Sequence, residues 1–114
     1  MQSIGKNGEN HALWFLSEQG YELLARNYRY KRAEIDLICK KEQLIVFVEV
    51  KLRTSAAYGH PESFVSDKQQ DLIVSAAEQY VIENDWTGDI RFDVIAILKS
   101  KGRLEVDHFK DAFY

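Results

Sequence analysis

Apolar positions along this chain fall into seven runs, and their spacing separates helices from strands. Between Gly8 and Gln19, the residues Ala12, Leu13, Phe15 and Leu16 recur at helical spacing, and Gly20 supplies a stop signal. One acid breaks that stripe. Glu9 stands three, four and seven residues before Ala12, Leu13 and Leu16, so it projects from the inward face, where a carboxylate needs a partner. Tyr21 to Tyr30 reads as extended. Glu34 to Cys39 and Leu44 to Lys51 are β-rich, and the polar stretch Lys40-Lys41-Glu42-Gln43 between them has hairpin length, so the two are predicted to pair antiparallel. Thr54 to Ser66, with Gly59 and the only proline, Pro61, reads as a surface loop of a length that often carries function. A second helix, capped by Ser66 or Asp67, shows an apolar face at Leu72, Ile73, Ala76, Ala77, Tyr80 and Val81 and runs to about Asn84. Ile90 to Leu98 is strand-like, Ser100-Lys101-Gly102 a turn, and Arg103 to Phe109 a last strand. The order α-β-β-β-α-β-β, with no repeat or linker, predicts one domain over residues 1–114: an α/β fold with a mixed sheet flanked by helices.

Composition agrees with a globular chain: of 114 residues, 46% are hydrophobic and 29% charged, enough to bury a core of ordinary size. The longest apolar run, Leu44 to Val48, is far short of the ~20 residues that span a bilayer, and Met1 to Leu16 lacks the pattern of a secretory signal. A cytoplasmic protein without a membrane partner is expected. Cys39, the single cysteine, excludes a disulfide scaffold and a paired-cysteine zinc site, and reads as a small buried hydrophobe.

Net charge is -3, which by itself argues against a nucleic-acid partner, yet the charge is uneven. Residues 1–54 carry 9 Lys/Arg against 7 Asp/Glu, while residues 55–114 carry 6 against 11. The densest basic stretch, Arg26-Asn27-Tyr28-Arg29-Tyr30-Lys31-Arg32, contains no acid and interleaves two aromatic rings. That suits phosphates and exposed bases; it equally suits a solvated edge strand protected by its cations.

The candidate chemistry sits in the central hairpin. Alternation from Leu44 to Arg53 points Glu49, Lys51 and Arg53 one way and Val46, Val48 and Val50 the other. Asp36 interrupts an apolar run on the preceding strand and approaches Glu49 if the hairpin pairs as expected. Two adjacent carboxylates repel, and a divalent cation between them removes the conflict; Mg²⁺ takes one or two carboxylates and several waters. Lys51 reaches the same spot and suits an attacking water or a charged phosphate, so the parts match phosphodiester hydrolysis. A solvent-exposed Glu–Lys pair is the simpler alternative for a Glu-x-Lys run. Glu9, Asp36 and Glu49 are expected to converge. His11, His60 and His108 show no metal-ligand spacing and read as surface or capping residues. Arg91 and Asp93 read as either a structural ion pair or part of a site. Neither a Gly-rich phosphate loop nor a nucleophile elbow is present.

Gly5-Lys6-Asn7-Gly8-Glu9, Arg26-Asn27-Tyr28-Arg29, Glu34-Ile35-Asp36-Leu37-Ile38, Val46-Phe47-Val48-Glu49-Val50-Lys51-Leu52-Arg53, Tyr58-Gly59, Lys68, Arg91-Phe92-Asp93 and Ala112-Phe113 together resemble the YraN family of small bacterial proteins. That family is similar to the PD-(D/E)XK nucleases and, among them, to archaeal Holliday junction resolvases. The resemblance implies a restriction endonuclease-like core in which Asp36, Glu49 and Lys51 occupy the nuclease motif, Glu9 supplies a helix carboxylate and Lys68 lies on the following helix. It implies Mg²⁺, or Mn²⁺, held by Asp36 and Glu49, and structured or branched DNA as partner; an RNA nuclease and a non-cleaving binding module of the same fold are the alternatives. Arg26, Arg29, Lys31, Arg32, Arg53 and Lys68 are the expected nucleic-acid contacts, and a homodimer and a protein partner complete the expectations. Two positions depart from the family pattern: Ala33 stands where a glycine usually precedes Glu-Ile-Asp, and Asp111 where an asparagine usually precedes Ala-Phe.

Overall fold

The structure, a computed structural model, describes residues 4–53 and 65–114, so most of the predicted Thr54–Ser66 loop, with His60 and the Tyr58-Gly59 motif, lies outside the described residues. Seven elements follow in the predicted order: α1 (Ile4–Glu18), β1 (Glu22–Tyr30), β2 (Ala33–Lys41), β3 (Leu44–Arg53), α2 (Asp67–Glu83), β4 (Asp89–Ser100) and β5 (Arg103–Phe109). They build one sheet in the order β1-β2-β3-β4-β5. Neighbours run antiparallel except β3 and β4, which are parallel and therefore need the crossover that α2 supplies. This is the mixed α/β architecture expected of a restriction endonuclease-like core.

Boundaries moved where backbone conformation outweighed side-chain pattern. α1 begins at Ile4, four residues before the expected Gly8. The β2–β3 turn shrinks from four residues to Glu42-Gln43, because Glu42 adopts φ 56 and lets Lys40 and Lys41 stay in the ladder opposite Ile45 and Leu44. Ser66, not Asp67, caps α2: its hydroxyl accepts the Gln69 N–H at 3.1 Å. Ala33 needs no left-handed conformation, since Lys31 takes the positive φ of that turn, and Ala33 is buried. Asp111 does adopt one (φ 54), which aspartate, like asparagine, tolerates.

The sheet is covered on both sides. Against α2 pack Ile35, Ile38, Phe47, Phe92 and Val94, with Ile73, Ala76, Ala77 and Tyr80 from the helix. Against α1 pack Leu37, Cys39, Val46, Val48, Ile95 and Ile97, with Ala12 and Leu16. Burial on both faces explains why β3 and β4 are nearly continuous apolar runs. Cys39 is a buried free thiol, as expected, and burial pushes its pKa up to about 12.

The regular alternation of β2 slips once. Ala33 and Ile35 lie on the α2 side, but Leu37 and Cys39, two and four residues beyond Ile35, lie on the α1 side and Ile38 returns to α2. The slip falls at Asp36. At the same level of β1, between the pairs Arg26↔Leu37 and Tyr28↔Ile35, Asn27 adopts φ 50. Two adjacent strands thus change phase together beside the acid that the hairpin carries.

Candidate metal and nucleic-acid site

Paired positions of β2 and β3 end at Leu37↔Val48. Asp36, the next residue, substitutes its side chain for the ladder: Oδ2 accepts the Val50 N–H at 2.7 Å. The carboxylate is thereby held in the gap where the strands part. Glu49 lies two residues beyond Phe47 and therefore on the α2 side of β3, where the first turn of α2 meets it through a hydrogen bond from Gln69 Nε2 to Glu49 Oε2. The Asp36 and Glu49 carboxyls come within hydrogen-bonding reach of each other.

This setting is costly for a second negative charge. Glu49 is 7% exposed, and its pKa is pushed up to about 9, first by burial, then by the hydrogen bond and charge of Asp36; Lys51 opposes the rise and Glu34 adds to it. Burial and the adjoining Asp36 carboxyl thus favour the protonated form of Glu49. A divalent cation is the natural substitute for that proton, and two carboxylates are what Mg²⁺ ordinarily takes from a protein. The donor chemistry therefore fits Mg²⁺ or Mn²⁺. Among the described residues no group of three or more His, Cys, Asp or Glu side chains is placed to hold a metal, so any cation here is bound sparsely.

Glu9 does have the partner its position demands, but that partner is not the Asp36–Glu49 pair. Its oxygens accept from Asn27 Nδ2 at 3.2 and 3.3 Å and lie 3.5 Å from the Arg26 guanidinium. Asn27 also donates to Glu34 Oε1 at 3.1 Å, so a single amide links the helix acid to the hairpin. The expected three-acid convergence is thus replaced by a pair and a bridge.

The basic run loses part of its free charge in the fold. Arg26 faces Glu9, Arg29 pairs with Glu34 at 3.0 Å, and Lys31 Nζ stands 5.2 Å from the centroid of the Tyr30 ring. Arg32 is exposed at the β1–β2 turn and Lys68 at the start of α2, while Arg53 donates to the Leu52 carbonyl at 3.1 Å. The run occupies an edge strand, as the alternative reading had it. Its lack of acids is a property of the sequence alone, because α1 and β2 deliver acids from outside it.

Arg91 and Asp93 resolve as an ion pair. Asp93 is fully buried and receives Arg91 Nε and Nη2 at 2.8 Å each, His108 Nε2 at 2.7 Å and the Asp111 N–H at 3.0 Å, while Arg91 also donates to the Tyr21 hydroxyl. Burial alone would raise the Asp93 pKa; the bonds from His108, Arg91 and Asp111 outweigh it and hold the carboxyl below the usual range. Phe92 and Val94 face α2, so Asp93 faces α1, on the opposite side of the sheet from Glu49. His108 is accordingly a buried network member and not the surface residue its spacing suggested. Only the phase of β5, with alternate residues facing α1, could have indicated this. Gln69 is the other residue whose role the pattern did not show, because its contact with Glu49 depends on where α2 lands.

The family model described as "Uncharacterised protein family UPF0102" matches residues 8–97. A UPF0102 protein of Flavobacterium psychrophilum is 44% identical over 97% of this chain and 93% of its own length. The chain belongs to the UPF0102 family. A UPF0102 protein of Chlorobium phaeobacteroides is also 44% identical, covering 96% of this chain and 92% of its own, and one of Christiangramia forsetii is 40% identical, covering 97% and 93%. UPF0102 is the YraN family, so the resemblance read from the motifs is shown. The UPF0102 match contains Glu9, Asp36, Glu49, Lys51, Gln69, Arg91 and Asp93; β5, with His108, lies beyond it.

Proposed function

We propose that this chain is a metal-dependent endonuclease that hydrolyses phosphodiester bonds in structured or branched DNA. The observation carrying this reading is the meeting of Asp36 and Glu49 in the gap between β2 and β3, with Lys51 on the same strand face as Glu49. Asp36 and Glu49 would hold Mg²⁺ or Mn²⁺, and the cation would place positive charge at the oxygens of the scissile phosphate. Gln69 fixes the orientation of Glu49, and the Asp36 carboxylate is fixed by the Val50 N–H. The Lys51 ammonium orders the attacking water and stabilises charge that develops on the phosphate. Glu9, anchored by Asn27 and Arg26, keeps α1 beside the hairpin and adds negative potential at its edge. Arg53, Lys68, Lys31 and Arg32 are the phosphate contacts, with Arg26 and Arg29 contributing less because acids already face them.

The test is a cleavage panel of duplex, single-stranded, flap and four-way-junction DNA, together with RNA, in Mg²⁺ or Mn²⁺, with Glu49→Ala as control. Cleavage of branched DNA that the control lacks is the expected result. Cleavage confined to RNA assigns the other nuclease class. Binding without cleavage in every arm leaves a nucleic-acid-binding module of the same fold and refutes the proposal.

A further inference from the structure

β5 is an outer strand of the sheet, and among the described residues no strand pairs with its far side. The two edges of the sheet differ. β1 carries a register shift between Leu23 and Ala25 and a left-handed residue at Asn27, and both disfavour pairing with another strand. β5 is regular, in unbroken register with β4 from Arg103 to Phe109. Its turn, Lys101-Gly102, has φ 50 and 77, the two-residue hairpin in which Ser100 and Arg103 form the closing hydrogen-bonded pair. From that pair onward, Arg103, Glu105 and Asp107 bond their backbones to β4, while the N–H and C=O groups of Leu104 and Val106 point outward. Leu104 is 40% exposed, and Arg103 and Glu105 are exposed on the other face.

We propose that two copies of the chain pair antiparallel along β5 about a two-fold axis through Leu104, joining their sheets into one. An axis perpendicular to the sheet leaves each side chain on its own face, and paired residues must share a face, so the axis has to pass through a residue. Centred on Leu104, that residue hydrogen-bonds to its own copy and the two leucines meet on one face. On the other face Arg103 stands opposite Glu105 of the second copy, twice. These are non-hydrogen-bonded positions, where cross-strand side chains come closest and opposite charges contribute most. Centring on Glu105 or Asp107 sets an acid against itself, and centring on Val106 sets Glu105 against Asp107 twice. Of these four registers, the Leu104 one alone opposes no like charges. The pairing goes beyond the proposed activity and does not depend on it. It also leaves both Glu49 residues on the same side of the joined sheet, so one nucleic acid could face two sites.

Sedimentation equilibrium of the full chain tests this with Arg103→Glu, Glu105→Arg, the double exchange, and an equimolar mixture of the two single variants. The wild type is expected to dimerise. Each single variant should weaken dimerisation by at least about tenfold, since each sets two like-charged pairs face to face. The double exchange should restore the dimer, and the mixture should form a heterodimer with both pairs opposite in sign. In the wild type, exchange of the Leu104 amide proton should slow with concentration as the dimer forms, which reads the interface without any substitution. A wild type that stays monomeric at about 1 mM overturns the proposal. So does dimerisation that neither single variant weakens, a double exchange that fails to restore it, or Leu104 exchange that ignores the dimer.

Discussion

Replacing Glu49 by glutamine should make the protein more stable without metal and remove a pH dependence that the wild type carries. The unfolded glutamate is ionised above about pH 4.3, whereas in the fold the pKa is pushed up to about 9, so between these values unfolding releases a proton. The unfolded state therefore binds fewer protons, and native stability falls as pH rises through that window, by about 1.4 kcal/mol per pH unit. From pH 6 to pH 8 the loss is about 3 kcal/mol, or ~12 °C in Tm at ~4 °C per kcal/mol for a domain of this size. Glutamine keeps an oxygen for the Gln69 amide and offers an N–H toward Asp36, but it cannot ionise. Other titrating groups are common to both proteins, so the difference between their Tm–pH profiles in EDTA isolates Glu49. Metal acts in the opposite sense and narrows the gap between the two proteins. With a dissociation constant of about 1 mM, 10 mM Mg²⁺ at pH 8 adds ~1.4 kcal/mol, or roughly 5 °C, to the wild type, and little to the variant. Parallel profiles in EDTA would refute the buried carboxyl pair. Equal responses to Mg²⁺ would refute Glu49 as a ligand.

Three further outcomes are expected. Lys51→Ala should abolish cleavage while leaving calorimetric Mg²⁺ binding nearly intact, whereas Glu49→Ala loses both; equal metal loss would show the role of Lys51 to be misassigned. Neutralising Lys31 and Arg32 should flatten the slope of log K against log[salt] on duplex DNA by roughly 0.9 for each phosphate that is no longer neutralised, and neutralising Arg26 and Arg29 by less; the reverse ranking would count against this arrangement. Asp93→Ala strips the Arg91 guanidinium and the Asp111 N–H of their partner and should cost about 3–5 kcal/mol in urea unfolding, with a loss below ~1 kcal/mol contradicting a structural role.

The order of elements was readable from the chain because each states its own period: the stripe from Ala12 to Leu16, the face from Leu72 to Val81, and the apolar runs of β3 and β4 are local patterns that their neighbours do not alter. The same holds for Glu49, Lys51 and Arg53 sharing a face, which strand geometry imposes. The inward-facing Glu9 and the interrupting Asp36 were visible as acids out of place, since a charge in an apolar pattern stands out in one dimension. Their partners were not. Glu9 meets Arg26 and Asn27, and Asp36 meets the Val50 N–H, through packing that joins residues far apart in sequence. The phase slip at Asn27 and Asp36 depends on two strands bending together, so alternation read along either one misses it. His108 appeared isolated because its partner Asp93 is 15 residues away across a strand pair, and the basic run appeared unopposed because Glu9 and Glu34 reach it from other elements. Periodicity is written by each segment for itself, and it determined the elements; which charge faces which is a distance between segments, and only the tertiary structure decided it.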